Sequence, residues 1–83
     1  MRITVKLYAL LSGYLPPNSE GNTANVEVAD GITVMDIIRH LKLPVEHCHL
    51  VLVDGIFVPP SERESCVLRQ GDAVAIWPPV AGG

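Results

Sequence analysis

The strongest helical pattern in this chain runs from Val34 to Leu41 and stands between segments that alternate like strands. Its apolar residues are spaced i, i+3, i+4 and i+7 and therefore form one stripe, made of Val34, Ile37, Ile38 and Leu41. Thr33 occupies the N-cap position with Asp36 three residues later, and Pro44 lies just beyond the helix. A helix with a single apolar stripe has to bury it against a second layer.

Alternating apolar segments on both sides of this helix predict the sheet that forms that layer. Asp54–Gly55 suits the tight two-residue turn of a hairpin. Pro59–Pro60 and the polar run 61–65 predict a loop after this hairpin. Residues 9–15 could add a short helix, weakened by Ser12 and Gly13. The order strand, strand, helix, strand, strand, strand predicts an α+β fold, a mixed sheet of four to five strands on one main helix, as in the ubiquitin-like β-grasp. The predicted strands are Arg2–Tyr8, Asn25–Val28, Leu50–Val53, Ile56–Val58 and Ala73–Trp77.

Length and charge narrow the classes of function. With 83 residues, 48% of them hydrophobic, the chain is expected to form a single domain over residues 1–83. Its net charge of -3 argues against nucleic acid as a partner. No apolar run approaches the roughly 20 residues that span a bilayer, and the N-terminus does not resemble a signal peptide. We therefore expect a cytoplasmic protein without a membrane partner, whose two cysteines stay as thiols.

The last six residues, Pro78–Pro79–Val80–Ala81–Gly82–Gly83, follow an apolar strand and have no pattern for further packing. We expect them to form a flexible tail over residues 78–83, reaching about 20 Å when extended. The prolines stiffen its root. The glycines fit a narrow channel and leave the terminal carboxylate sterically open to react with an activating nucleotide. The alternative is an inert, frayed end of the chain.

The segment from Leu68 to Gly83, LRQGDAVAIWPPVAGG, resembles the ending of the MoaD/ThiS family of ubiquitin-like sulfur carriers. In that family a Gly-Asp turn, an apolar strand and an aromatic residue precede PPVAGG. Further similarity lies in Gly31–Val34 and in Leu52–Gly55, where Asp54 replaces the asparagine more common in the family. Asp and Asn serve such a turn alike. The resemblance extends over the whole chain and is greatest to MoaD, the small subunit of molybdopterin synthase.

The resemblance implies a carrier that is not an enzyme by itself and holds no permanent cofactor. An adenylyltransferase like the ubiquitin-activating enzymes would use ATP to adenylate the Gly83 carboxylate. A sulfurtransferase or cysteine desulfurase would then supply sulfur, giving a Gly83 thiocarboxylate. A molybdopterin-synthase-type large subunit would bind the tail. The sulfur would then be donated to the precursor that becomes molybdopterin. The residues implied in partner binding are Trp77, Pro78, Pro79, Val80, Ala81 and Gly82.

Two groups of residues allow more than one interpretation. Trp77 could anchor a partner's groove or pack on its own sheet; since Val74 and Ile76 alternate with it and should face the core, Trp77 is expected on the opposite face. His40, His47, Cys48 and His49 resemble a metal cluster, but the contiguous triplet lacks the usual ligand spacing, so a solvated loop without metal is expected. An iron-sulfur cluster is excluded because it needs four cysteines.

Three alternatives to the pterin carrier stay open. The activated Gly83 could instead form an amide with a lysine of a target protein, making the chain a protein modifier. The sulfur could also enter thiamine synthesis. A third alternative is a non-covalent binding module that uses the sheet surface and leaves the tail inert.

Overall fold

The computed structural model describes residues 1–79, so of the predicted tail only Pro78 and Pro79 are included. Within that range the strands are β1 (Arg2–Leu7), β2 (Thr23–Glu27), β3 (Leu50–Val53), β4 (Ile56–Phe57) and β5 (Ala73–Trp77), and the α-helix is α1 (Val34–His40). Short 3₁₀ helices cover Ala9–Tyr14, Val45–His47 and Pro60–Glu62. None of the helices in this part of the chain has the length and apolar character needed to cross a membrane.

The strands form one mixed sheet in the order β2-β1-β5-β3-β4. β1 and β5 run parallel at its centre, with Val5 opposite Val74 and Leu7 opposite Ile76. The other neighbouring pairs are antiparallel. Parallel neighbours need a long crossover between them, and the segment from β2 through α1 to β4 supplies it. This topology confirms the predicted β-grasp fold with a five-stranded sheet.

α1 covers one face of the sheet and provides half of a closed core. The apolar stripe of the helix faces the inward side chains of the central strands, and the most deeply buried of these residues are fully inaccessible to solvent. Burial of one such side chain contributes about 1.5–3 kcal/mol to the stability of the folded state. The fully buried set includes Ile3, Val5, Leu7, Val34, Ile37, Ile38, Val51, Val74 and Ile76. The opposite face of the sheet is not covered by the helix.

The predicted N-cap of α1 is confirmed as a reciprocal capping box. The Thr33 hydroxyl accepts a hydrogen bond from the Asp36 N–H at 3.1 Å. The Asp36 carboxylate accepts one from the Thr33 N–H at 3.0 Å. Because α1 has only seven residues, these two bonds satisfy a large share of the unpaired donors at its start.

The predicted hairpin turn between β3 and β4 is also confirmed. Asp54 and Gly55 both have positive φ, 49° and 83°, as a two-residue hairpin turn requires. The Asp54 carboxylate accepts a hydrogen bond from the Ala73 N–H at 2.9 Å. The turn residue therefore also fixes the start of β5.

Three sequence predictions were wrong in detail. β2 begins at Thr23 and not at Asn25, because Thr23 and the following residue pair with β1. The polar run 61–65 was predicted as a loop, but it begins within a 3₁₀ helix and Arg63 is buried, since backbone carbonyls accept its hydrogen bonds. The predicted solvated loop at 47–49 contains Cys48, which is buried in the core.

Replacing Thr33 by Ala is expected to lower the free energy of unfolding by about 1 kcal/mol, because the Asp36 N–H loses its acceptor. Thr33→Ser keeps the hydroxyl and serves as the control. Urea unfolding of the two variants measures the difference. Equal stability of the Ala and Ser variants would show that the box contributes nothing.

The same box predicts a pH dependence. Hydrogen bonds from the Thr33 N–H and then its hydroxyl, with the Arg39 guanidinium nearby, hold the pKa of the Asp36 carboxyl below its ordinary value. A lowered folded-state pKa stabilises the fold above the unfolded pKa of about 3.9, and this stabilisation is lost as the pH falls through the folded pKa. The stability advantage of the natural protein over Asp36→Asn, measured by urea unfolding, should therefore shrink as the pH is lowered from about 5 through the folded pKa. A constant advantage would contradict it.

Candidate functional site at the end of the central strand

Trp77, the last residue of β5, lies on the outer face of the sheet, as its alternation with the buried Val74 and Ile76 predicts. Its ring stacks on that of Tyr8, with ring centroids 4.2 Å apart and planes inclined by 3°. Tyr8 directly follows β1, and because β1 and β5 are parallel neighbours, both rings come to the same end of the sheet. Trp77 therefore packs on its own sheet while remaining partly accessible.

The backbone at the end of β5 is held from both sides. The Tyr8 N–H donates to the Ile76 carbonyl at 3.2 Å, and the His49 N–H donates to the Trp77 carbonyl at 3.0 Å. Leu50 of β3 lies opposite Trp77 in the ladder. β5 is thus paired up to the residue before Pro78, which has no N–H with which to continue the ladder.

A largely apolar cleft of about 400 Å³ adjoins this point. One wall comes from the 3₁₀ helix that follows β1, in which Leu10 is 89% exposed. An exposed leucine beside two prolines is a surface that another protein can cover without loss of hydrogen bonds. The lining residues are Leu10, Leu11, Tyr14, His47, Pro78 and Pro79.

The outer face of the sheet continues this apolar surface across β5, β3 and β4. Cross-strand partners point to the same side, and Leu50 pairs with Trp77 while Leu52 pairs with both Ala75 and Phe57. Phe57 is 52% exposed at the edge. Contiguous apolar surface of this kind marks interaction sites in proteins.

The His47–Cys48–His49 segment has the wrong geometry for a metal site or a nucleophile. Cys48 points into the core and its thiol donates to the Pro44 carbonyl, whereas His47 and His49 are exposed. Burial raises the pKa of the Cys48 thiol, opposed by the nearby Arg63 guanidinium, so the reactive thiolate is disfavoured at neutral pH. Over residues 1–79, no three metal-binding side chains converge, and both cysteines are free.

Of the predicted site residues, the structure brings Trp77, Pro78 and Pro79 together at the root of the tail. Val80, Ala81, Gly82 and Gly83 lie outside the described residues. Sequence reasoning did not include Tyr8 in the site. The signal was present, because Tyr8 continues the period-two pattern of β1, and parallel pairing with β5 carries it to Trp77. The exposure of Leu10 could not be predicted, because it lies in a short segment with only a weak helical pattern.

Comparison with known proteins agrees with this architecture. The ThiS family model matches residues 17–83. A search of curated protein sequences finds no match. Among solved structures, SAMP1 from Haloferax volcanii has 24% identity and a TM-score of 0.70, and the thiamine biosynthesis protein ThiS from Geobacter metallireducens has 20% and 0.67; both alignments cover all of both chains.

A third similar structure is a complex of subunits 1 and 2 of the molybdopterin-converting factor from Helicobacter pylori, with 17% identity, a TM-score of 0.61 and full coverage of both chains. At these identities the structural likeness concerns the fold, while the family model covers most of the sequence, including its diglycine end. The chain therefore belongs to the ThiS family, with the β-grasp fold of the ubiquitin-like sulfur carriers.

Proposed function

We propose that this chain carries sulfur as a thiocarboxylate on the carboxyl group of Gly83. The observation that carries the proposal is the family match, which extends to residue 83 and includes Gly82–Gly83. The arrangement of the described residues supports it, because β5 is held on both sides up to Pro78 and an apolar cleft adjoins that point. A partner that takes up the terminal residues would have to cover this surface.

The chemistry begins with a carboxylate, which is a poor electrophile because its charge repels nucleophiles. An activating adenylyltransferase joins it to AMP from ATP and releases pyrophosphate, which gives the carbonyl carbon a good leaving group. The outer sulfur of a persulfide on a sulfurtransferase or cysteine desulfurase then attacks this carbon and displaces AMP, which forms an acyl disulfide. A thiol reduces that disulfide, so the thiocarboxylate is released and the thiol and the donor cysteine are oxidised to a new disulfide. The carrier contributes the reacting carbon, and the partners contribute the catalytic groups.

For the recipient of the sulfur we propose a pterin precursor, bound by a molybdopterin-synthase-type large subunit. The PPVAGG ending favours this branch, and one of the similar structures is a two-subunit complex of the molybdopterin-converting factor. Another similar structure is a thiamine biosynthesis protein, so a thiamine precursor is the competing recipient. The large subunit or enzyme that copurifies with the tagged chain distinguishes the two.

Incubation with a cognate activating enzyme, ATP and a sulfur source is expected to replace one oxygen of Gly83 by sulfur. Intact-mass and C-terminal peptide spectrometry detect the change. Deletion of Gly83 should abolish the product. Thr33→Ala, whose change lies at the α1 N-cap, is the control for lowered stability and should still be converted.

Two results would contradict this function. One is the absence of thiocarboxylate with every candidate activator, and the other is complementation of a carrier-deficient strain by the chain lacking Gly83. Higher-mass conjugates that depend on Gly83, without free thiocarboxylate, would instead identify a protein modifier.

The cleft beside the tail root makes a separate prediction about docking. Leu10→Ser should raise the KM of the activating enzyme for the carrier about tenfold, since full burial of a leucine side chain that is exposed in the free carrier contributes about 1.5–3 kcal/mol to the complex. Its side chain is 89% exposed, so the stability of the free carrier should be unchanged.

Val67→Ser is the matched control, because Val67 is 56% exposed and lies outside the cleft, paired with Thr33 before α1. It should leave the KM within about twofold of the natural value. Equal effects of the two substitutions would show that the cleft is not part of the docking surface.

A further inference from the structure

Arg63 is a buried arginine with an unusual set of partners. Its side chain is 2% exposed, yet it forms no ion pair with any other residue in the range 1–79. Nη1 donates to the Cys48 carbonyl at 2.7 Å and Nη2 to the His49 carbonyl at 3.2 Å, while Nε has no partner within the same range. Burying a charge against neutral carbonyls is costly in a small domain. The position of those carbonyls indicates what this arrangement achieves.

One peptide group, between Cys48 and His49, is held at both ends. Its carbonyl accepts from Arg63, and its N–H donates to the Trp77 carbonyl at 3.0 Å. The two groups of a planar trans peptide point in opposite directions. Arg63, this peptide and the Trp77 carbonyl therefore form a continuous hydrogen-bond chain. A cation at its head polarises the peptide and strengthens the second bond.

This hydrogen-bond chain ends on the first peptide of the tail. The Trp77 carbonyl belongs to the Trp77–Pro78 peptide, and since Pro78 has no N–H, this oxygen is the peptide's one hydrogen-bonding group. Proline also fixes its own φ near −65°. The orientation of the Trp77–Pro78 peptide therefore determines the direction in which the backbone leaves the sheet.

Arg63 is itself well placed to act as a fixed point. Its own carbonyl accepts a hydrogen bond from the Met35 N–H at 3.0 Å, in the first turn of α1. The residue thus connects the helix layer to the junction before β3, and through it to the end of β5. Backbone and side chain together tie the tail root to both layers of the fold.

We propose that Arg63 is a positioning residue for the root of the tail. It orients the Trp77–Pro78 peptide through the Cys48–His49 peptide. This role rests on the proposed function, in which a partner receives the residues after Pro78. Holding the root in one orientation reduces the freedom lost when the tail enters an active site. The consequence is tighter productive binding to the activating enzyme with an unchanged chemical step.

Hydrogen exchange tests the contact without any activity assay. In Arg63→Met, the His49 amide is expected to exchange at least about tenfold faster. The reason is that the Cys48 carbonyl of the same peptide loses its charge-assisted hydrogen bond from Arg63. The Asp54 amide, which donates to the Ala73 carbonyl at 2.9 Å at the other end of the same strand pair, is the internal reference and should change much less. Arg63→Lys keeps the charge and should restore part of the protection.

The kinetic arm measures activation of the same variants. Arg63→Met should raise the KM for the carrier about three- to tenfold with kcat within about twofold, and Arg63→Lys should lie between it and the natural chain. Arg39→Met is the matched control, since Arg39 is an exposed arginine of α1 paired with Asp36 and Glu64. It should leave KM and His49 exchange unchanged.

Each contrary result would reject one part of the proposal. Equal acceleration of the His49 and Asp54 amides would mean general destabilisation, and unchanged His49 exchange would mean that the hydrogen-bond chain has no role; either outcome rejects the proposal. Faster His49 exchange with an unchanged KM would reduce Arg63 to a structural residue. Should Arg63→Met not fold, Arg63→Lys gives the same comparison. Failure of the natural chain to be activated would refute the proposed function, while the exchange result would still decide the hydrogen-bond chain.

Discussion

The parallel pairing of β1 with β5 at the centre of the sheet is the constraint on which the rest of the structure depends. It joins β1 to β5, the first and last of the described strands, so the segment between them has to cross over one face of the sheet. Its inward side chains meet the α1 stripe in the core. Parallel direction also places the ends of the two strands together, which is why Tyr8 meets Trp77.

Because α1 covers only one face of the sheet, the side chains on the other face are partly exposed. The outward residues at the end of β5 and along β3 and β4 are apolar, and they adjoin the cleft at Pro78 and Pro79. In a domain of this size nearly all stabilising burial occurs on the helix side. Apolar residues on the outer side therefore contribute less to folding than the inward ones and are available for contacts with another protein.

Features set by local chemistry and by apolar periodicity could be predicted from the sequence, whereas the burial of single polar or reactive side chains by distant parts of the chain could not. The Thr33–Asp36 box and the Asp54–Gly55 turn each need only a few neighbouring residues, so their patterns were decisive. Arg63 stands in a polar run typical of solvent-exposed loops, and its burial depends on carbonyls about fifteen residues away. Cys48 was misassigned for the same reason. The roles of Val80 to Gly83 stay predictions that follow from the family.

The central position of β5 explains why the root of the tail can be fixed so firmly. An edge strand is held by one neighbour, whereas β5 has β1 on one side and β3 on the other. At Trp77 the two neighbours act on different parts of the residue: Tyr8 packs against the ring, and the Cys48–His49 peptide bonds the carbonyl. Rotation of the residue would have to break both contacts at once. Under the proposed function, the reacting end of the chain would therefore enter a partner's active site from a fixed starting point at Trp77, which lowers the entropy cost of binding.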